Sequence, residues 1–338
     1  MENLLKFTQL KVNADLGFWS RLYDNKLNEY RSNKIRTDIH GEIKRYGEKT
    51  VIQLSSESFE DAVNGRTVHD RIIKGDIYVV NTTEDLKTAF DIQNKSIMEN
   101  MWSSIKNGMA LNDHQLLNKM SISVYVDLKN YRFIYWIAFP VFKISYDIKQ
   151  HMRTSLKKVL PLEAERINIR DQIRTSWDIL DSDTECFVYH NNNIEPLTNE
   201  HIDDYLTELI LFVNDMGCND NNPSWLVRNL LFTLAYHISK PLALSLICYR
   251  ENEVGLIDDS PCFDLYLTPL LISELLYNND NVPVYYNGFC QLSGKKGKPG
   301  LRDISSSMDI NKLSESALNM NNKLMKWRVA PNLDLENI

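Results

Sequence analysis

LLNKMSISVYVDLKNYRFIYWIAFPVF, residues 116–142, reads as two β-strands joined by a short turn. Ile122, Val124 and Val126 alternate with Ser121, Ser123 and Tyr125, which is the period of a strand with one buried face. Asp127 and Asn130 bracket the turn, because both side chains bond their own backbone and tolerate unusual φ. Beyond it come Phe133, Tyr135, Trp136, Phe139 and Phe142, side chains that suit a pleated surface. Pro140 has no N–H to give a ladder, so it marks the strand's end or an edge. No other segment is as apolar and as strand-like. It is read as the central hairpin of a core, and its chemistry is packing.

The chain around it has 338 residues, 43% hydrophobic and 25% charged, the balance of a soluble globular protein. A chain of this length exceeds one core, so two lobes are the default. The net charge of -7 disfavours general binding to nucleic acid or to anionic membranes. The N-terminus lacks the apolar run of a signal peptide, and no window reaches membrane-spanning length. The five cysteines, Cys186, Cys218, Cys248, Cys262 and Cys290, are odd in number and contain no C-x-x-C. A reduced cytosolic compartment fits them better than a disulfide framework.

Taken in order, residues 4–12 read as a first strand. Asp15 then caps a helix with the stripe Trp19, Leu22, Tyr23, Leu27 and Tyr30. Short strands are expected near residues 50–54 and 77–80. Thr82 and Asp85 open a long helix carrying Leu86, Phe90, Ile97, Met101 and Ile105, and Gly108 stops it. Residues 145–159 read as a basic connection after the hairpin. A helix follows over 162–180, then a hairpin over 186–197 and a buried strand over 209–213. Pro223 after Asn222 suggests a helix start, and further strands fall at 243–249 and 263–267. This pattern predicts an α/β or α+β fold of two layered subdomains, residues 1–150 around the central hairpin and residues 151–300. Residues 301–338 then hold a terminal helix and a linker.

Candidates for chemistry are few. GKKGKPG, residues 294–300, fits neither G-x-x-x-x-G-K-[ST] nor G-x-G-x-x-G, so it reads as a solvated basic loop. The seven histidines show no H-x-x-x-H or H-E-x-x-H spacing. No cysteine carries a local nucleophile signature. These absences favour a binding or recruitment module over an enzyme.

Several segments, in one order, resemble the N-terminal part of the autophagy ubiquitin-like-modifier-activating enzyme. They are DLGFW (15–19) with KLNEYR (26–31), WSSIKNGMAL (102–111), LLNK (116–119), and DLKNYRF (127–133) with Tyr135, Trp136 and Pro140. Pro223, Trp225, Arg228 and Asn229 match a Pro-x-Trp-x-x-Arg-Asn segment. KLMKWR (323–328), Pro331, Leu333 and Leu335 resemble the junction between that family's domains. Asn319 and Asn322 replace the family's usual Asp and Leu.

What the resemblance implies is specific. The family's N-terminal domain precedes an adenylation domain with a nucleotide loop, a zinc site and a catalytic cysteine, which would begin after Leu335. The chain is therefore expected to be the N-terminal domain without its own catalytic residues, cofactor or metal. ATP and zinc are implied for the missing domain, as is homodimerisation. Its implied role is recruiting the autophagy conjugating enzymes, which receive ubiquitin-like modifiers from the catalytic cysteine of the opposite protomer. Location is implied to be cytoplasmic, with recruitment to sites of autophagosome formation. The alternatives are a stand-alone cytosolic scaffold or an enzyme with an unrecognised site. The expected partner surface comprises Trp327, Arg328, Pro331 and Leu333 near the domain join, with Lys295, Lys296 and Lys298 at its rim. There an amphipathic helix of the partner would enter an apolar groove.

Overall fold

The computed structural model describes residues 3–46, 49–60, 71–143, 149–179, 184–202, 206–215, 217–252, 254–270, 282–283, 285–289 and 298–308, and four residues further on, 318, 321, 322 and 325. Two sheets carry the fold. Their strands, in chain order, are β1 (Asn3–Leu4), β2 (Lys11–Ala14), β3 (Ile35–Tyr46), β4 (Lys49–Leu54), β5 (Arg71–Val80), β6 (Met120–Asp127), β7 (Arg132–Phe142), β8 (Lys149–Ser155), β9 (Cys186–His190), β10 (Asn193–Pro196), β11 (Glu208–Val213), β12 (Leu242–Cys248), β13 (Pro261–Leu267), β14 (Tyr285–Phe289) and β15 (Gly300–Asp303). The main helices are α1 (Leu16–Asn25), α2 (Thr83–Lys106), α3 (Met109–Asn112), α4 (Leu156–Val159), α5 (Glu163–Ile179) and α6 (Val227–His237).

The expected hairpin, β6 and β7, lies within the first sheet, whose order is β14-β7-β6-β5-β3-β4-β2, with β15 also on β7. Asp127 Oδ1 accepts from the Lys129 and Asn130 N–H groups at 3.2 and 3.1 Å, which fixes the turn. On one face Phe133, Tyr135, Ile137 and Phe139 meet Ile122, Val124 and Val126 beneath α1. Asp15 starts α1 by accepting from Phe18 N–H at 2.9 Å. Phe18, Trp19 and Leu22 are buried, whereas Leu27, expected on the buried stripe, is 49% exposed and lies beyond the end of α1.

α2 is the element both sheets share. Thr82 Oγ1 accepts from Asp85 N–H at 3.2 Å and starts it. Its first half lies over the other face of the first sheet, where Leu86 and Ala89 pack with Val80, Ile134 and Trp136. Phe90 stacks on Trp136 with ring centroids 5.6 Å apart. Its second half, Ile97 to Ile105, enters a different core with α6 and the second sheet. Gly108, at φ 78°, ends the helix in the left-handed conformation that glycine adopts without strain.

The second sheet has the order β1-β8-β13-β12-β11-β9-β10. One face packs Leu211, Val213, Leu244 and Leu246 against Leu230, Leu231 and Leu234 of α6. The other packs Phe187, Phe212 and Ile247 against Ile169, Ile173 and Trp177 of α5. β11 and β12 run parallel with α6 between them, and β5 and β6 do the same with α2. The remaining neighbours are antiparallel apart from β2 and β4, so the fold is mixed α/β.

Sheet membership does not follow chain order at either end. β1 joins the second sheet, β14 and β15 return to the first, and β8 spans positions 150 and 151. The single strand expected over residues 4–12 is two short strands serving different sheets. The basic connection expected over 145–159 includes β8, held between β1 and β13. α6 begins at Val227 rather than at Pro223, because the preceding residues are used otherwise: Pro223 O accepts from Thr8 N–H at 2.8 Å, and Trp225 N–H donates to Thr8 O at 2.9 Å.

Candidate functional site

The residues that carried the sequence resemblance are mostly interior. Trp19 donates its indole N–H to Ala14 O at 3.2 Å, and its ring lies 4.9 Å from both Phe133 and Tyr135. Lys26 is buried; its ammonium donates to Asn81 Oδ1 at 2.6 Å, and burial lowers its pKa. Trp102 meets Phe142, Phe232 and Tyr236 edge-on. These side chains specify the architecture, not a surface.

Asn229 and Arg228 join the two sheets. The buried Asn229 amide donates to Leu117 O at 2.8 Å and to Pro140 O at 3.2 Å, while its oxygen accepts from Phe142 N–H at 3.0 Å. Arg228, half-buried, lies over the rings of Phe7 and Trp225 at 5.5 and 5.1 Å. Pro140 thus sits inside β7, where pairing with β6 has ended and pairing with β14 has begun. That position needs no N–H from it.

The expected partner surface falls largely outside the described residues: Lys295, Lys296, Trp327, Arg328, Pro331 and Leu333 all do. So do most positions of the expected terminal helix, of which Leu318, Asn321, Asn322 and Met325 are helical and exposed. Lys298 is described; it is exposed, in a bend just before β15. Among the described residues β15 pairs only with β7, so its outer edge is open. That edge carries Leu301, 62% exposed, and the exposed Arg302. Ser305 and Arg132, which reaches Asp303 at 2.9 Å, hold the Asp303 carboxyl down to about 2. An open edge with alternating apolar and basic side chains can take an added strand or the rim of a helix. Sequence reading missed β15, since four residues following a basic glycine loop give no usable period.

For chemistry, one group of metal-ligating type occurs among the described residues: Asp215, Cys218 and Cys248, all buried, with ligand atoms within 4.8 Å of one another. Asp215 Oδ2 accepts from Ser224 N–H at 2.6 Å, and Arg250 Nη2 donates to Cys218 Sγ at 3.2 Å. A guanidinium at that distance opposes a divalent cation on the same sulfur. Among the described residues no helix is long and apolar enough to cross a membrane.

Known proteins place this architecture. The chain is 27% identical to ubiquitin-like modifier-activating enzyme ATG7 of Debaryomyces hansenii, over 98% of this chain and 48% of that one. It is also 27% identical to its Homo sapiens counterpart, over 99% and 48%. The chain therefore spans about half the length of the curated relatives it matches. In fold it resembles the crystal structure of the Kluyveromyces marxianus Atg7NTD–Atg10 complex, with a TM-score of 0.61 and 19% identity, over 90% of this chain and 99% of that one. Atg7NTD of the same organism alone gives 0.61 and 18%, over 89% and 99%. The family model described as ubiquitin-like modifier-activating enzyme ATG7 N-terminus matches residues 5–308, and the chain belongs to that family.

Proposed function

We propose that this chain recruits the conjugating enzymes of the autophagy modifier pathway. Membership of the ATG7 N-terminus family over residues 5–308 carries the reading. The related Atg7NTD seen in complex with Atg10 supports it. In this reading the chain binds and orients a conjugating enzyme and does no covalent chemistry. Adenylation, with its ATP, zinc and catalytic cysteine, belongs to the part of the relatives beyond the matched half, as does homodimerisation. The modifiers reach the recruited enzyme through that part, in the cytoplasm at sites of autophagosome formation.

The residues proposed for the partner contact are Lys298, exposed just before β15, with Lys295 and Lys296 close to it in sequence, and Trp327, Arg328, Pro331 and Leu333 further along the chain. Trp and Arg are the residue types that dominate such interfaces. Calorimetry with the cognate conjugating enzyme should give saturable binding, weakened in both Pro331→Asp and Lys295/Lys296/Lys298→Glu variants that remain folded. Wild-type affinity in both at low salt would move the site elsewhere, and no binding by the wild-type chain would favour the scaffold reading. ATP–pyrophosphate exchange with a purified modifier should stay at background.

A further inference from the structure

β11 and β12 are parallel neighbours, so their C-terminal ends share one rim of the second sheet. Cys248 is the last residue of β12, and Cys218 lies in the turn that follows β11. Their sulfurs lie within 4.8 Å of each other, and each has a charged neighbour of opposite sign. Arg250 donates to Cys218 Sγ at 3.2 Å and to Cys218 O at 3.0 Å. Cys248 Sγ donates to Asp215 Oδ2 at 3.8 Å. The segment between is clamped: Arg250 also pairs with Asp220 at 3.0 Å, and Ser224 N–H with Asp215.

We propose that Cys218 and Cys248 form a peroxide-responsive dithiol that closes to a disulfide. Arg250 is placed to pair with the thiolate of Cys218. That sulfur attacks hydrogen peroxide: an S–O bond forms, the O–O bond breaks, and the hydroxide that leaves takes up the proton Cys218 gave up on ionising and departs as water. Cys248 sulfur then attacks the sulfur of the sulfenic acid. The S–S bond forms, the S–O bond breaks, and a second water leaves with the Cys248 proton, which passes by way of Asp215. Two thiols are oxidised and one peroxide is reduced. The order follows from the setting, because burial pushes the Cys248 thiol well up and keeps it protonated until its partner is activated.

The sheet register makes the pairing selective. Cys186 is opposite Val213, which is itself opposite Cys248, so two strand spacings, about 10 Å, separate Cys186 from Cys248. That is beyond disulfide reach. Cys262 packs with the α5 side of the sheet and Cys248 with the α6 side, so those two sulfurs lie on opposite faces.

The test is titration of the full chain with hydrogen peroxide, alkylation of the remaining thiols, intact mass measurement and peptide mapping. The wild-type chain should lose the mass of two hydrogen atoms and give one cross-linked peptide pair, carrying Cys218 and Cys248, reversed by dithiothreitol. Arg250→Gln, checked for folding, should form it about tenfold more slowly, the effect of removing a cationic thiolate partner. Cys262→Ala should form it at the wild-type rate. Both thiols remaining open to alkylation, sulfinic or sulfonic products alone, or a link from either residue to another cysteine would overturn the proposal. The mapping of the wild-type chain decides this even if a variant fails to fold.

Discussion

Asn229 on α6 accepts the backbone N–H of Phe142 on β7 at 3.0 Å, and through it the helix of the second sheet holds the end of the first sheet's central hairpin. The same amide holds Leu117 O and Pro140 O, so one buried side chain answers three main-chain groups. Asn229→Leu would leave that N–H and both carbonyls without their partner in a dry site. The expected cost is about 3 kcal/mol, summed from the penalty for each unmet group. Urea unfolding should show it as a lower midpoint at unchanged slope; a loss under about 0.5 kcal/mol, the size of an ordinary surface change, would mean water replaces the amide.

Two tryptophans packed on opposite faces of the first sheet, Trp19 on α1 and Trp136 on β7, should differ in cost. Trp19 is 1% exposed between Phe133 and Tyr135, and Trp19→Ala should destabilise by about 3–5 kcal/mol. Trp136 is half-buried against Phe90 on the outer face, so Trp136→Ala should cost about 2 kcal/mol. Equal losses in thermal unfolding would contradict this assignment of faces.

A pH dependence follows from His237. Its Nε2 meets Ile105 O at 2.8 Å, and burial lowers its pKa in spite of that bond. A histidine whose folded pKa is depressed binds its proton more readily when unfolded, so protonation favours unfolding. Stability should therefore fall as pH drops below the unfolded value of about 6.5. His237→Gln should flatten the curve of unfolding free energy between about pH 7 and 5. An unchanged curve would assign the dependence to other groups.

Gly75 marks the close approach of β5 and β6. A Cβ there would stand 2.8 Å from Met120 O and 2.9 Å from Met120 Cβ. Gly75→Ala should cost about 1–3 kcal/mol, as overpacking of a closed site does. Hydrogen exchange should locate the loosening at the β5–β6 ladder; protection lost elsewhere instead would rule out a local clash.

Much of the fold was legible because its period was clean. The hairpin, the Asp15 and Thr82 caps, the Gly108 stop, α5 and the β11–α6–β12 unit all follow local patterns. β3 escaped because Ile35, Ile39 and Ile43 stand four apart, a spacing that fits a helical stripe as well as a strand face. β8 escaped because it is polar and is held by its ladders to β1 and β13, not by its own composition. The Cys218–Cys248 pair left no signal at all. Parallel strand pairing brings those sulfurs together, and spacing along a chain does not report that.

The return of β14 and β15 to β7 has a consequence for synthesis. As the chain leaves the ribosome, β7 emerges with Phe139, Val141 and Phe142, yet the strands that cover its outer side come more than a hundred residues later. Until then one edge of the central hairpin is an open template for pairing with other chains, the condition under which nascent β-proteins aggregate. A chain stalled or cut before residue 285 would keep that edge bare, so it should be captured by holding chaperones, while the chain extended to residue 308 should be released.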